Sequence, residues 1–242
     1  MDYLTRDSFY SGVAEGIIGY DRIITMMNVV NDRLVIEEKG IYSVEKFLMA
    51  RRLMYWQVYL HKTVISAEVM LISILKRARY LAQQGAKIAS SEELTFFLTN
   101  PKDDQTIIRH PDFLKNFVLL DDMDILWMIK KSVNHEDFVM QYLCKNLLER
   151  KLLKVTLYSE ESLETYLKDK KAFQVKLGLN DDEIEYFFSE KKEVIFPYDT
   201  RAGEINMLMK SGKIQPYSVL NPNLFTSAEE RTFLFYQKVD LN

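Results

Sequence analysis

The chain has 242 residues, 48% of them hydrophobic and 28% charged, enough to bury a core in one large or two modest domains. Eight glycines and five prolines are few for this length, which argues against the many tight turns of an all-β design and for long helices. A formal net charge of −3 gives no global attraction for nucleic acid or anionic lipid, and the single cysteine, Cys144, excludes an intrachain disulfide. A reducing cytoplasm is the expected compartment. No apolar run approaches the ~18 residues of a membrane helix, so no membrane association is expected.

In chain order, Ile17, Ile18, Ile23, Ile24, Met27 and Val30 fall mainly at helical spacing, and a helix is expected to start near Tyr20. Leu34-Val35-Ile36, between Asn31-Asp32 and a charged stretch, reads as a short strand or extended link. From Ser43 to Gly85 no glycine or proline interrupts an apolar pattern stepping by three and four, which predicts one long helix or two in sequence. Ser90-Ser91-Glu92-Glu93 is a helix start, since a serine cap and acidic first-turn residues satisfy free N–H groups and suit the dipole. Asn100-Pro101 ends that helix, and His110-Pro111 begins a run to Leu120. Asp121-Asp122-Met123-Asp124 and His135-Glu136-Asp137 introduce two more amphipathic helices. Past Arg150 the pattern shifts: residues 152–158, 193–196 and 232–236 are strand-like, Ser211-Gly212 suggests a hairpin, and residues 161–176 and 181–189 are helical. The expected fold is mainly α, a helical part over 1–150 followed by a smaller α+β part over 151–242.

Few residues declare chemistry on their own. His61, His110 and His135 are too far apart for a helical metal pair, and His135-Glu136-Asp137 is better explained as a helix cap. Cys144 lies on an apolar stripe and reads as a core cysteine. The segment Gly12-Val13-Ala14-Glu15-Gly16 lacks the lysine and the strand–helix setting of a phosphate loop. Charge distribution says more: residues 51–87 hold seven basic side chains against one acidic residue, Glu68. Arg51, Tyr55, Tyr59 and Lys62 are spaced 4, 4 and 3 apart, along one helix face. A guanidinium, aromatic rings and an ammonium there suit an anionic ligand with a flat or sugar portion. The competing reading is a solvated basic face with tyrosines at the core edge. Near the N-terminus, Asp2 and Arg6 are spaced as a surface ion pair, which leaves Tyr3 and Asp7 on a neighbouring face.

Several stretches in order resemble one family: residues 1–13 (Met1-Asp2-Tyr3-Leu4-Thr5-Arg6-Asp7 and onward), 44–51, 55–62, 120–124 and 148–152. Together they are similar to the HD-domain phosphohydrolases related to deoxynucleoside triphosphate triphosphohydrolases. The resemblance implies a mostly helical fold, a divalent metal held by a His…His-Asp…Asp set, water attack on a nucleotide phosphate, and a homo-oligomer. All of those metal ligands would precede Met1, so this chain resembles the C-terminal part of such an enzyme and is expected to show no turnover alone. By resemblance, Tyr3 and Asp7 face the substrate's phosphate and sugar, Arg51 binds a phosphate, and Tyr59 stacks near the sugar. His61 and Lys62 would support the helix, and Arg22 and Lys39 fall near positions that bind activator nucleotides. Leu60 and Glu37 depart from the polar and basic residues of the mammalian member. From a different class, the alternative is a non-catalytic helical module that binds a protein or nucleic acid through the basic 51–87 helix.

Overall fold

The structure, a computed structural model, describes residues 1–100, 107–196, 198–201, 203–222 and 228–238. In chain order it runs α1 (Asp2–Ser11), α2 (Tyr20–Thr25), β1 (Met27–Val30), β2 (Arg33–Glu37), α3 (Ile41–Met54), a π-helical turn (Tyr55–Tyr59) and α4 (Lys62–Gln83). It continues through α5 (Glu92–Thr99), α6 (Phe113–Leu119), α7 (Asp122–Lys131), α8 (Phe138–Leu148), β3 (Lys154–Leu157), α9 (Glu160–Leu177) and α10 (Asp181–Ile184). Last come β4 (Phe188–Ile195), β5 (Asn206–Leu208), β6 (Ile214–Pro216), α11 (Tyr217–Leu220) and β7 (Glu229–Tyr236). The chain is mainly helical, with two small sheets ordered β1-β2-β5-β6 and β3-β7-β4. No single described helix is long and apolar enough to cross a membrane.

Two compact units interleave along the chain, where the sequence suggests one boundary near residue 150. The first comprises Met1–Val64 and Lys192–Thr232, and the second comprises Ile65–Lys191 with the described residues from Phe233 on.

In the first unit, Ile23, Ile36, Val44, Leu48, Tyr198, Met207 and Tyr217 form a buried cluster. The helical pattern expected to reach Val30 stops at Thr25, and Met27–Val30 pairs antiparallel with β2. Asn31 and Asp32 explain the change, since both adopt positive φ (51° and 57°) between the paired residues Val30 and Arg33. That is the two-residue hairpin geometry matched to strand twist, and Asn and Asp tolerate it better than most residues. β5 joins β2 in parallel and β6 in antiparallel pairing, and Gly212 at φ 79° turns the β5–β6 hairpin as its Ser-Gly signal suggested.

In the second unit, Ile65, Met70, Ile74 and Ala78 line the buried face of α4, and Met128, Ile129, Met140, Leu143 and Cys144 are buried from α7 and α8. Phe173 and Phe187 pack 5.2 Å apart, with Tyr142 5.3 Å from Phe187 and Tyr166 5.4 Å from Phe188. Ser91, Asp121 and Asp137 cap α5, α7 and α8 as their sequence signals indicate. The α5 helix ends at Thr99; Pro101, the residue expected to stop it, lies outside the described residues. The helix expected over 181–189 closes after four residues, and Phe188 already belongs to β4.

Candidate functional site

The side chains nominated around the basic segment gather in the first unit. On α1, Leu4 and Ser8 turn into the core, which sets Tyr3 and Asp7, also four residues apart, along the flank of the same helix. The 3-10 turn Ala14–Gly16 seats directly against this helix: a Cβ at Gly16 would meet Ser8 Cβ at 2.7 Å, the Leu4 carbonyl oxygen at 2.9 Å and Met54 Sδ at 3.0 Å. Gly16 thereby couples α1 to the end of α3, where Arg51 lies one turn before the π-helical segment.

That segment answers the question of one helix or two. The Leu60 N–H bonds the Tyr55 carbonyl at 2.7 Å, a five-residue step, and the His61 Nδ1 accepts the Thr63 N–H at 3.3 Å at the start of α4. π turns recur at functional sites because they re-aim a few side chains within an otherwise regular helix. Here the result is a continuous file. The Arg51 guanidinium carbon lies 5.5 Å from the Tyr55 ring centroid, Tyr55 and Tyr59 rings are 5.3 Å apart, and Tyr59 and Tyr3 rings are 6.4 Å apart. The Tyr59 hydroxyl donates to Asp7 Oδ2 at 2.6 Å. Burial, reinforced by the Asp7 carboxylate, raises the Tyr59 phenol above its ordinary value, so it stays protonated and donating.

Tyr3, Asp7, Arg51 and Tyr59 are thus brought together. Lys62, expected on the same face, falls beyond the break at Leu60 and His61 and opens the next helix. His61 accepts from the local backbone, at the Thr63 N–H. Arg22 and Lys39 also meet, the Arg22 guanidinium donating to the Lys39 carbonyl at 3.4 Å, with Lys39 Nζ 3.9 Å from Glu37.

Three groups of this unit were not nominated from sequence. Glu229 on β7 accepts from Arg52 and from Trp56 Nε1, the latter at 2.9 Å, and the Arg231 guanidinium lies 3.5 Å from the Trp56 ring centroid. Asp199 is gripped by Arg201 at 2.9 and 3.0 Å, and this bond, with Arg51 adding to it, holds the Asp199 carboxyl below its usual range. The strand was expected to begin only at Thr232, whereas it begins at Glu229, which brings Glu229 and Arg231 into it. Nothing local in the sequence marks Asp199.

The basic segment as a whole is not a solvated face. In the second unit Arg77 is 6% exposed and bonds Asp137 at 3.0 and 2.5 Å and Glu183 at 3.3 Å, between the rings of Tyr80 and Tyr186. Arg79 donates to the Phe97 carbonyl at 2.5 Å. Both cations serve the fold, because each would otherwise leave partners unsatisfied.

The described residues do not fit a metal centre: no group of three or more His, Cys, Asp or Glu among them is placed to hold an ion. Each imidazole uses Nδ1 to accept a backbone N–H two residues on, from Thr63, Asp112 and Asp137 respectively. Burial pushes the Cys144 thiol up to about 12, which leaves it unreactive at neutral pH.

Residues 18–96 match a family model described as the HD associated region. Across 226 residues the chain is 31% identical to an uncharacterised Bacillus subtilis protein, YwfO, covering 90% of this chain and 49% of that one. An uncharacterised Methanocaldococcus jannaschii protein, MJ1154, is 40% identical over 75 residues, 29% of this chain and 17% of that one. Among solved structures, a phosphohydrolase from Bacteroides thetaiotaomicron superposes with a TM-score of 0.87 at 41% identity, covering 98% of this chain and 60% of that one. A hypothetical protein from Aquifex aeolicus shares the fold at a TM-score of 0.60 and 21% identity, over 97% of this chain and 52% of that one. These likenesses support an HD-domain protein. The chain spans about half the length of the Bacillus relative.

Proposed function

We propose that these residues supply the substrate-binding wall of an HD-domain phosphohydrolase that acts on nucleotides, converting a deoxynucleoside triphosphate to deoxynucleoside and triphosphate. The observation that carries this reading is the file Arg51–Tyr55–Tyr59 closing on Tyr3 and Asp7. It is supported by the HD-associated match across residues 18–96 and by the likeness to a phosphohydrolase.

Each group has a task that fits its chemistry. The Arg51 guanidinium grips phosphate oxygens through paired N–H donors. Asp7 takes the Tyr59 hydroxyl on one oxygen and has its other oxygen to accept from a sugar hydroxyl. The Tyr59 ring, held by that bond and flanked by Tyr3 and Tyr55, sits beside the sugar and excludes a bulkier ribose. A divalent metal, as is general for HD phosphohydrolases, would polarise the phosphoryl oxygen, held by residues of the longer parent outside this chain. Arg22 and Lys39 are the proposed activator contacts. The reading also carries a homo-oligomeric, cytoplasmic enzyme.

The test is a longer protein that contains these residues and the His, His-Asp and Asp set, assayed for triphosphate release from deoxynucleoside triphosphates. It should turn over and lose most of its activity on Arg51→Ala and on Asp7→Ala. Full activity in both variants would remove the pocket assignment, and an upstream region without the metal ligands would remove the reaction.

A further inference from the structure

On an α-helix, successive residues lie about 100° apart, so the file Arg51, Tyr55, Tyr59 has beside it a second file beginning Arg52, Trp56. Both residues of this second file are held by one carboxylate. Glu229 Oε1 accepts from Arg52 Nε, in the last turn of α3, and Oε2 accepts from Trp56 Nε1, in the π turn, at 2.9 Å. One side chain thus bridges the junction at which the helix changes from α to π geometry. Two residues along the strand, and so on the same face, Arg231 lies over the Trp56 ring at 3.5 Å from its centroid. The indole is therefore gripped at its edge by an anion and on its face by a cation, two interactions that favour a single ring orientation. Glu230, between them, points the other way and pairs with Lys192 at 2.6 Å.

A π turn is a less favourable backbone arrangement than the α-helix around it, and persists where surrounding contacts over-determine it. Glu229 and Arg231 supply such contacts from a strand distant in sequence. Fixing the rotation of the Arg52–Trp56 file about the helix axis fixes the rotation of the Arg51–Tyr55–Tyr59 file, since both belong to the same backbone.

We infer that Glu229, together with Arg231, is a positioning residue that holds the α-to-π junction and thereby aims Arg51, Tyr55 and Tyr59 at an anionic ligand. This role rests on the reading of that file as a nucleotide wall. The Arg52 guanidinium holds the Glu229 carboxyl below its usual range, so the clamp stays ionised at neutral pH.

The chain holds two tryptophans, and Trp127→Phe leaves Trp56 as the sole indole reporter. In that background, titration with inorganic tripolyphosphate should give a saturable change in Trp56 emission that Arg51→Ala abolishes. Glu229→Ala should shift the Trp56 emission of the free protein and weaken tripolyphosphate binding about tenfold, the scale expected when charge-assisted bonds are lost. Glu230→Ala, which removes only the exposed Lys192 pair, should do neither. Should Glu229→Ala fail to fold, Glu229→Gln removes the charge while retaining the shape and is expected to weaken binding in the same direction. Unchanged affinity in the folded Glu229 variant, with Arg51→Ala still inactive in binding, overturns the positioning role and leaves the nucleotide wall standing. No binding by the parent chain overturns the wall and the positioning role with it.

Discussion

The two units bury an arginine of the basic segment to different depths. In the second, Arg77 is drawn almost wholly out of water and matched on all sides, by Asp137, Glu183 and two tyrosine rings. In the first, Arg51, Tyr59 and Asp7 are only half-buried, and they line a file of rings and hydrogen-bonding groups. Arg77 is committed to the carboxylates of its own unit, whereas Arg51 stands half-buried beside the Tyr55 ring. The basic side chains over 51–87 are therefore not one uniform face: Arg77 and Arg79 are tied into the second unit, and Arg51 stands at the ring file of the first.

The largest effect expected from this contrast is on the second unit. Arg77→Ala strands Asp137 and Glu183 without their cation and should cost about 3–5 kcal/mol, read from urea unfolding. A loss below about 1 kcal/mol, the scale of an exposed pair, would show that the cluster is not the buried anchor its geometry describes. The pH dependence sharpens the same point. Burial alone would raise the Asp137 carboxyl, but Arg77 and the Met140 N–H bring it below its ordinary value of 3.8. A depressed carboxylate contributes stability above its unfolded pKa and loses it as pH falls through the folded one. Unfolding midpoints should therefore drop on acidification below about pH 4, and Arg77→Ala should flatten that drop.

Next in size is Gly16→Ala in the first unit. The added methyl meets Ser8 Cβ, the Leu4 carbonyl and Met54 Sδ at 3.0 Å or less, and overpacking of that kind costs about 1–3 kcal/mol. If the variant is as stable as the parent by thermal unfolding, α1 does not rest on the 3-10 turn as described. The smallest effect belongs to Tyr59→Phe. It removes one hydrogen bond to a half-exposed carboxylate and should change stability by about 1 kcal/mol or less. The same variant should eliminate one tyrosine from the class that resists ionisation in a spectrophotometric alkaline titration, since burial and Asp7 hold that phenol up. Loss of a tyrosine from the normally ionising class instead would place Tyr59 in ordinary solvent.

Much of the fold could be read residue by residue. Ser91, Asp121 and Asp137 announced their helices because capping is a local transaction between a side chain and N–H groups two or three residues away. The Ser211-Gly212 turn was legible for the same reason. Met27–Val30 was read as helix because its apolar spacing suits either state, and the hairpin partner Arg33–Ile36 settled it. Of the candidate site, Arg51, Tyr55 and Tyr59 were visible as a spacing, and Tyr3 and Asp7 as a second cluster. Their meeting was implied only through resemblance, since no local rule joins residue 7 to residue 59.

By itself, the sequence determined a mainly helical chain, the capped helix starts, a buried and inert Cys144 and a positive stretch within an acidic protein. These follow from composition and from interactions within a few residues. Tertiary structure decided which of those positive charges are neutralised within the fold, that the long helical run breaks through a π turn, and that Asp7 reaches Tyr59. It also decided that Glu229 and Arg231 grip the same tryptophan. Contacts between residues fifty to nearly two hundred positions apart depend on how elements pack, and packing leaves no periodicity in the sequence from which they could be foretold.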